Sequence, residues 1–137
     1  MLLQRFFSTK SISGSLASFA LLVLRIAISV MMLTHGLSKL SNFSAMSQNF
    51  DPIGMGGTIS LSLVIFAEVF CSIAILLGLF TRLATIPLIV AMCVATLVTH
   101  AGQPFAAKEL ALLYLTFYIV ILLIGPGRYS IDRLLWR

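Results

Sequence analysis

Four apolar runs of membrane-crossing length leave this 137-residue chain few ways to fold. A hydrocarbon core about 30 Å thick takes roughly 20 apolar helical residues to cross. Runs near that length cover residues 16–37, 58–80, 83–99 and 107–124. In a bilayer every backbone N–H and C=O must find its partner within the protein, so each run is expected to be a helix. The expected fold is all-α: one domain, residues 1–137, forming an integral membrane four-helix bundle.

Composition argues against a soluble alternative. The chain is 60% hydrophobic and 9% charged, whereas a soluble domain is about 45–50% apolar and about 25% charged. The net charge of +5 is carried by residues scattered singly beside apolar runs. Without a basic stripe, that pattern excludes nucleic acid as the partner and follows the positive-inside rule instead. With four spans, Arg5, Lys10, Arg82, Arg128, Arg133 and Arg137 share one side, against Lys39 and Lys108 on the other. The bias places both termini in the cytoplasm. Phe6, Phe7, Tyr129 and Trp136 then fall where aromatic side chains anchor at the interface.

The N-terminal stretch has the charge pattern of a signal peptide. Its apolar run is longer than an h-region and no small-x-small site follows, so we read it as a retained first span. The third run contains Pro87; with proline expected in the first helical turn, Thr81 or Thr85 becomes the candidate cap. Asp51-Pro52 and Gly54, Gly56 and Gly57 break helix in the first outer loop. A short interfacial helix is expected there over Ser44–Phe50, with Phe43, Met46 and Phe50 toward lipid. A second is expected in the C-tail after Gly125-Pro126-Gly127, capped by Ser130 and carrying Leu134, Leu135 and Trp136.

Ionisable side chains at membrane depth are costly, so they face the bundle interior and pair. At about 100° per residue, Arg25, Ser29, Met32, Gly36 and Lys39 project within one arc of the first span, with His35 at its edge. Glu68, Cys71 and Ser72 share a side of the second span, and Cys93, Thr96 and His100 form a stripe on the third. On the fourth, Glu109 and Thr116 share one face and Tyr114 and Tyr118 the opposite one. Glu68 lies roughly 16 Å into its span and Arg25 roughly 9–13 Å into its own, counted from the same side. This depth makes an Arg25–Glu68 pair the expected intramembrane contact, since the guanidinium fork matches a carboxylate.

The remaining ionisable groups, His35, Lys39, His100, Lys108 and Glu109, gather as an outer-face cluster. His100 and Glu109 are expected to be close across THAGQPFAAKE, either as a proton relay or as a helix-end hydrogen bond. His35 and His100 lack a third ligand, so no metal site is assigned. Cys71 and Cys93 are equidistant from the hairpin turn and read as space-filling thiols, with a redox pair as the alternative. Small residues, Gly36, Gly78, Ala67 and Ala95, offer faces for a homo-oligomer.

Several stretches together resemble the DoxX family of small membrane proteins. They are LRIAISVMMLTHGLSKL in the first span and FDPIGMG before the second. FAEVFCSIAILLGLFTRLATIPLIVAMCVATLVTH follows across spans two and three, and KELALLYLTFYIVILLIGPGRYSIDRLL in the fourth and the tail. The resemblance implies a multi-pass four-helix protein of the bacterial inner membrane. It implies a link to thiosulfate:quinone oxidoreduction or to membrane redox complexes, as an accessory subunit with a membrane or peripheral redox partner. By residue-wise match its polar positions fall on Arg25, His35, Gly36, Lys39, Glu68, Gly78, Thr81, Arg82, His100, Glu109, Tyr114, Gly125, Gly127, Ser130 and Asp132. The resemblance makes quinone the candidate cofactor; no haem ligand pair, iron–sulfur motif or nucleotide loop is present, so any electrons would come through a partner or a diffusible carrier. A non-catalytic scaffold or assembly factor is the alternative, and a small-solute or proton carrier a third reading.

Overall fold

The computed structural model describes residues 14–136. Arg5, Phe6, Phe7, Lys10 and Arg137 lie outside the described residues. Four helices are long and apolar enough to cross a membrane. They are α1 (Ser15–Ser41), α3 (Gly57–Leu77), α4 (Thr81–Thr99) and α5 (Phe105–Ile124). Two short helices complete the described residues, α2 (Phe43–Met46) and α6 (Ile131–Leu135). All these elements are helical, with no strand among the described residues. This is a membrane protein with an all-helical bundle.

Each long helix buries one stripe and leaves the rest of its surface apolar. On α1 the buried positions are Ser18, Leu21, Arg25, Ile28, Ser29, Met32 and Gly36, the 3.6-residue period of the polar arc. Ile28 meets Ile75, Leu88, Tyr118 and Ile121 from the other spans in one enclosed core. Outward-facing Phe19, Phe70, Val90, Leu97 and Leu123 are exposed. A soluble protein does not present so much contiguous apolar surface.

The bundle has two dissimilar ends. At the tail end, where α3 passes into α4 and the chain finishes, three charged side chains close three helix termini. Arg25 donates from Nε to Ile75 O at 3.0 Å and from Nη2 to Leu76 O at 3.2 Å, in the last turn of α3. Its Nη1 donates to Pro126 O at 3.0 Å and Tyr129 O at 2.8 Å, tying the tail to the same point. Arg82 donates to Leu122 O, Leu123 O and Ile124 O, the final carbonyls of α5. The Asp132 carboxylate accepts from Phe80 N at 2.6 Å and Thr81 N at 2.8 Å, at the start of α4. Helix C-termini present unpaired carbonyls and N-termini unpaired N–H groups. Cations at the former and an anion at the latter also suit the helix dipoles.

Gly78 makes this closure possible. It ends α3 at φ +72°, and a Cβ there would collide with Ser130 and the Arg25 guanidinium. Leu79 N bonds to Ala74 O at 2.8 Å and Gly78 O accepts from Asp132 N at 2.8 Å, so the turn and tail share one hydrogen-bonded corner.

Some sequence expectations change here. The first span runs to Ser41 rather than Leu37, so the whole polar arc through Lys39 lies within it. Neither Thr81 nor Thr85 caps α4: Asp132 does so from the tail, and the Thr85 hydroxyl donates to Arg82 O. Because α4 begins at Thr81, Pro87 sits beyond its first turn. The loop helix covers Phe43–Met46 instead of Ser44–Phe50. Phe43, Met46 and Phe50 pack on Leu61, Ile65 and Val69 rather than facing lipid. The tail helix α6 is as expected, with Arg133 N donating to Ser130 Oγ and Leu134, Leu135 and Trp136 exposed. Gly36, Gly78 and Ala67 are occupied by contacts inside the bundle.

Candidate functional site

The far end of the bundle, opposite the C-terminal tail, is open where the tail end is closed. A cavity of about 320 Å³ lies among α1, α3, α4 and α5. Its polar lining is His35, Lys39, Glu68, His100 and Tyr114, set among Met32, Met92, Ala95, Ala107, Leu110 and Ala111. Convergent polar groups in an otherwise apolar concavity are the usual form of a small-molecule site.

Glu68 is the deepest charged group of this cavity. It is 4% exposed and roughly 16 Å along α3 from Gly57. Lys39 Nζ donates to both its oxygens, at 2.9 Å to Oε1 and 2.7 Å to Oε2. The expected Arg25–Glu68 pair is therefore absent. Arg25 lies level with Ile75 and Leu76, seven residues or roughly 10 Å below Glu68 along α3. The Ile75 and Leu76 carbonyls at the α3 C-terminus take the guanidinium there, while Lys39 projects from the same α1 stripe to the level of Glu68.

Gly36 sets the distance between the two helices. A Cβ at this position would lie 2.7 Å from Val69 Cγ2 and 2.9 Å from Glu68 Cβ. Only glycine lets α1 approach Glu68 this closely, one turn before Lys39. Glu68 itself stands in a π-helical stretch, Phe66–Cys71, inside α3. A second π-helical stretch, Ala95–Thr99, ends α4 with His100 N bonded to Ala95 O at 3.0 Å. Both widened turns contribute to the cavity wall, and such interruptions concentrate at functional sites. No residue pattern announces an i→i+5 turn, so the sequence did not show them.

His35 meets Tyr114 edge-on, with ring centroids 5.9 Å apart. Tyr114 in turn stacks on Tyr118 at 6.2 Å, leading inward. Ser72, Tyr118 and Ser29 are fully buried, and their hydroxyls complete no hydrogen bond of standard geometry.

Of the outer-face residues, His35, Lys39 and His100 line the cavity, while Lys108 and Glu109 do not. Glu109 is exposed, and His100 Nδ1 lies 3.1 Å from Gln103 Oε1 instead. Thr96 is buried but donates to Met92 O of its own helix. Cys71 and Cys93 are free thiols.

The DoxX family model matches residues 20–101 of this chain. An inner membrane protein of Escherichia coli, YqjF, is 30% identical over 124 residues, 88% of this chain and 95% of the relative. An uncharacterised membrane protein of Mycobacterium tuberculosis is 30% identical over 130 residues, 83% of this chain and 80% of its own. An uncharacterised protein of Haemophilus influenzae is 33% identical over 128 residues, 84% and 90% of the two chains. No solved structure matches.

Proposed function

The chain belongs to the DoxX family, and on that premise we propose that its far-end cavity binds a quinone head group, making the protein a redox-linked membrane subunit. The observation that carries this reading is the Lys39–Glu68 pair at membrane depth, on the wall of a cavity lined by two histidines and a tyrosine. Lys39 and the histidine rings offer N–H donors toward carbonyl oxygens, and Glu68 and the histidines are able to hold protons. Met32, Met92 and Leu110 offer apolar contact to a ring face. A quinone held there would supply the two-electron chemistry, with a partner oxidoreductase as the other electron carrier in this reading.

The same reading places the protein in a bacterial inner membrane with both termini cytoplasmic. The excess of Arg and Lys on the tail side supports that orientation, and the cavity then opens away from the cytoplasm. In a variant lacking both native cysteines, a membrane-impermeant thiol reagent added to intact cells should label Ser44→Cys and spare Tyr129→Cys. The reverse pattern would invert the topology.

The binding claim is tested with purified protein in lipid nanodiscs and a short-chain benzoquinone. Saturable binding is expected, weakened at least about 10-fold by Glu68→Gln or Lys39→Met, a loss of about 1.4 kcal/mol. No saturable binding to the wild type, or equal binding to all three proteins, would refute it.

A further inference from the structure

Two apolar grooves run along the lipid-facing surface, and they differ in what they lead to. The larger, about 360 Å³, lies between α3 and α4 beside Phe66, Pro87 and Val90. It shares no lining residue with the polar cavity. The smaller, about 260 Å³, lies between α1 and α5, which touch only sparsely. Ala27, Met31, Leu113 and Phe117 form its walls, and Leu110 and Tyr114 line both it and the polar cavity. Ala27, Met31, Leu113 and Phe117 are all exposed on the bundle surface, so this cleft is open sideways to the bilayer.

We infer that the α1–α5 cleft holds the apolar tail of a lipid-soluble ligand whose polar head occupies the far-end cavity. The inference rests on the cavity being a head-group site, as proposed above. Adjacency decides between the grooves: Tyr114 and Leu110 border both the α1–α5 cleft and the cavity that holds Lys39 and Glu68, whereas the larger groove has no lining residue in common with that cavity. The cleft's effect is steric rather than hydrophobic. Lipid tails are as apolar as these side chains, so moving a tail from bilayer to cleft brings little gain in itself. An open cleft lets a long-tailed molecule seat its head without forcing its tail through the bundle. The ligand is therefore amphipathic and enters sideways from the membrane.

The test compares two probes in nanodiscs: a long isoprenoid-tailed quinone and the same head group without a tail. Ala27→Trp and Met31→Trp each fill the cleft from the surface of α1, where neither native side chain supports the core. Leu113→Trp fills it from α5, and Val90→Trp fills the other groove as a control. Wild type should bind both probes. The three cleft variants should lose at least about 10-fold for the tailed probe while holding the tail-less head as wild type does, and Val90→Trp should bind both normally. Unchanged affinity of the cleft variants for the tailed probe would overturn the tail assignment and leave the head-group site standing. So would an equal loss in Val90→Trp. Failure of wild type to bind either probe would overturn both readings.

Discussion

The tail end and the far end of this bundle use the same kinds of side chain for opposite purposes. At the tail end, Arg25, Arg82 and Asp132 are bonded to backbone groups at helix termini. Their partners are fixed by the fold and leave little capacity for a ligand. At the far end, Lys39 and Glu68 are bonded to each other on the wall of an open cavity, beside His35, His100 and Tyr114. A charge spent on backbone holds the structure, whereas a side-chain pair facing a cavity can exchange its partner. Burial alone would not separate the two sets, because Arg25 and Glu68 are both almost fully enclosed. What each group bonds to separates them.

The largest expected effect lies at the tail end. Arg25→Ala leaves carbonyls of α3 and the tail without their donor in a buried site. It should cost about 3–5 kcal/mol, the range for removing one member of a buried charged network. Denaturant unfolding in detergent would measure it, and a loss below about 1 kcal/mol would break the comparison. Gly78→Ala should come next, at about 1–3 kcal/mol, because it forces an alanine into positive φ against Ser130 and Arg25. Far-end variants should reverse the balance of effects. Glu68→Gln removes the ion pair but keeps a hydrogen-bonding side chain beside a half-buried lysine, so stability should fall by only about 1 kcal/mol while quinone binding is lost. The smallest effect is expected from Lys108→Ala and Glu109→Ala, which lie outside the cavity. Both should stay within about 0.5 kcal/mol of wild type in stability and bind quinone normally.

The four spans and the polar stripe of α1 were legible in the sequence, because length and a 3.6-residue period are local properties. Arg25, Ser29, Met32, Gly36 and Lys39 share an arc in both readings, and four of them are buried along it. The partner of Glu68 was not legible. Lys39 lies on the arc but groups by sequence with the outer-face cluster, and depth counting then favours Arg25 as the cation for Glu68. The side chain of Lys39 instead reaches inward from that arc to the level of Glu68. Arg25 was misassigned for a second reason. Its partners are carbonyls of Ile75, Leu76, Pro126 and Tyr129, and backbone groups freed at helix ends carry no residue signature. Asp132 escaped the candidate cap assignment in the same way. It caps α4 from 51 positions away in the chain, where local capping rules have no reach. The cavity itself depends on two π-helical turns and on the close approach at Gly36, which only the packed bundle displays.

The central claim is that the far-end cavity binds a ligand and the tail end only holds the fold. Photolabelling with an azidoquinone in lipid nanodiscs, mapped by peptide mass spectrometry, tests it most directly. The account predicts label on Met32, His35, Met92, His100 or Tyr114, competed by unlabelled quinone and absent in folded Glu68→Gln protein. Competable label confined to the tail end, around Leu76–Thr85 or Gly125–Asp132, or label at the cavity that persists unchanged in Glu68→Gln, would contradict it.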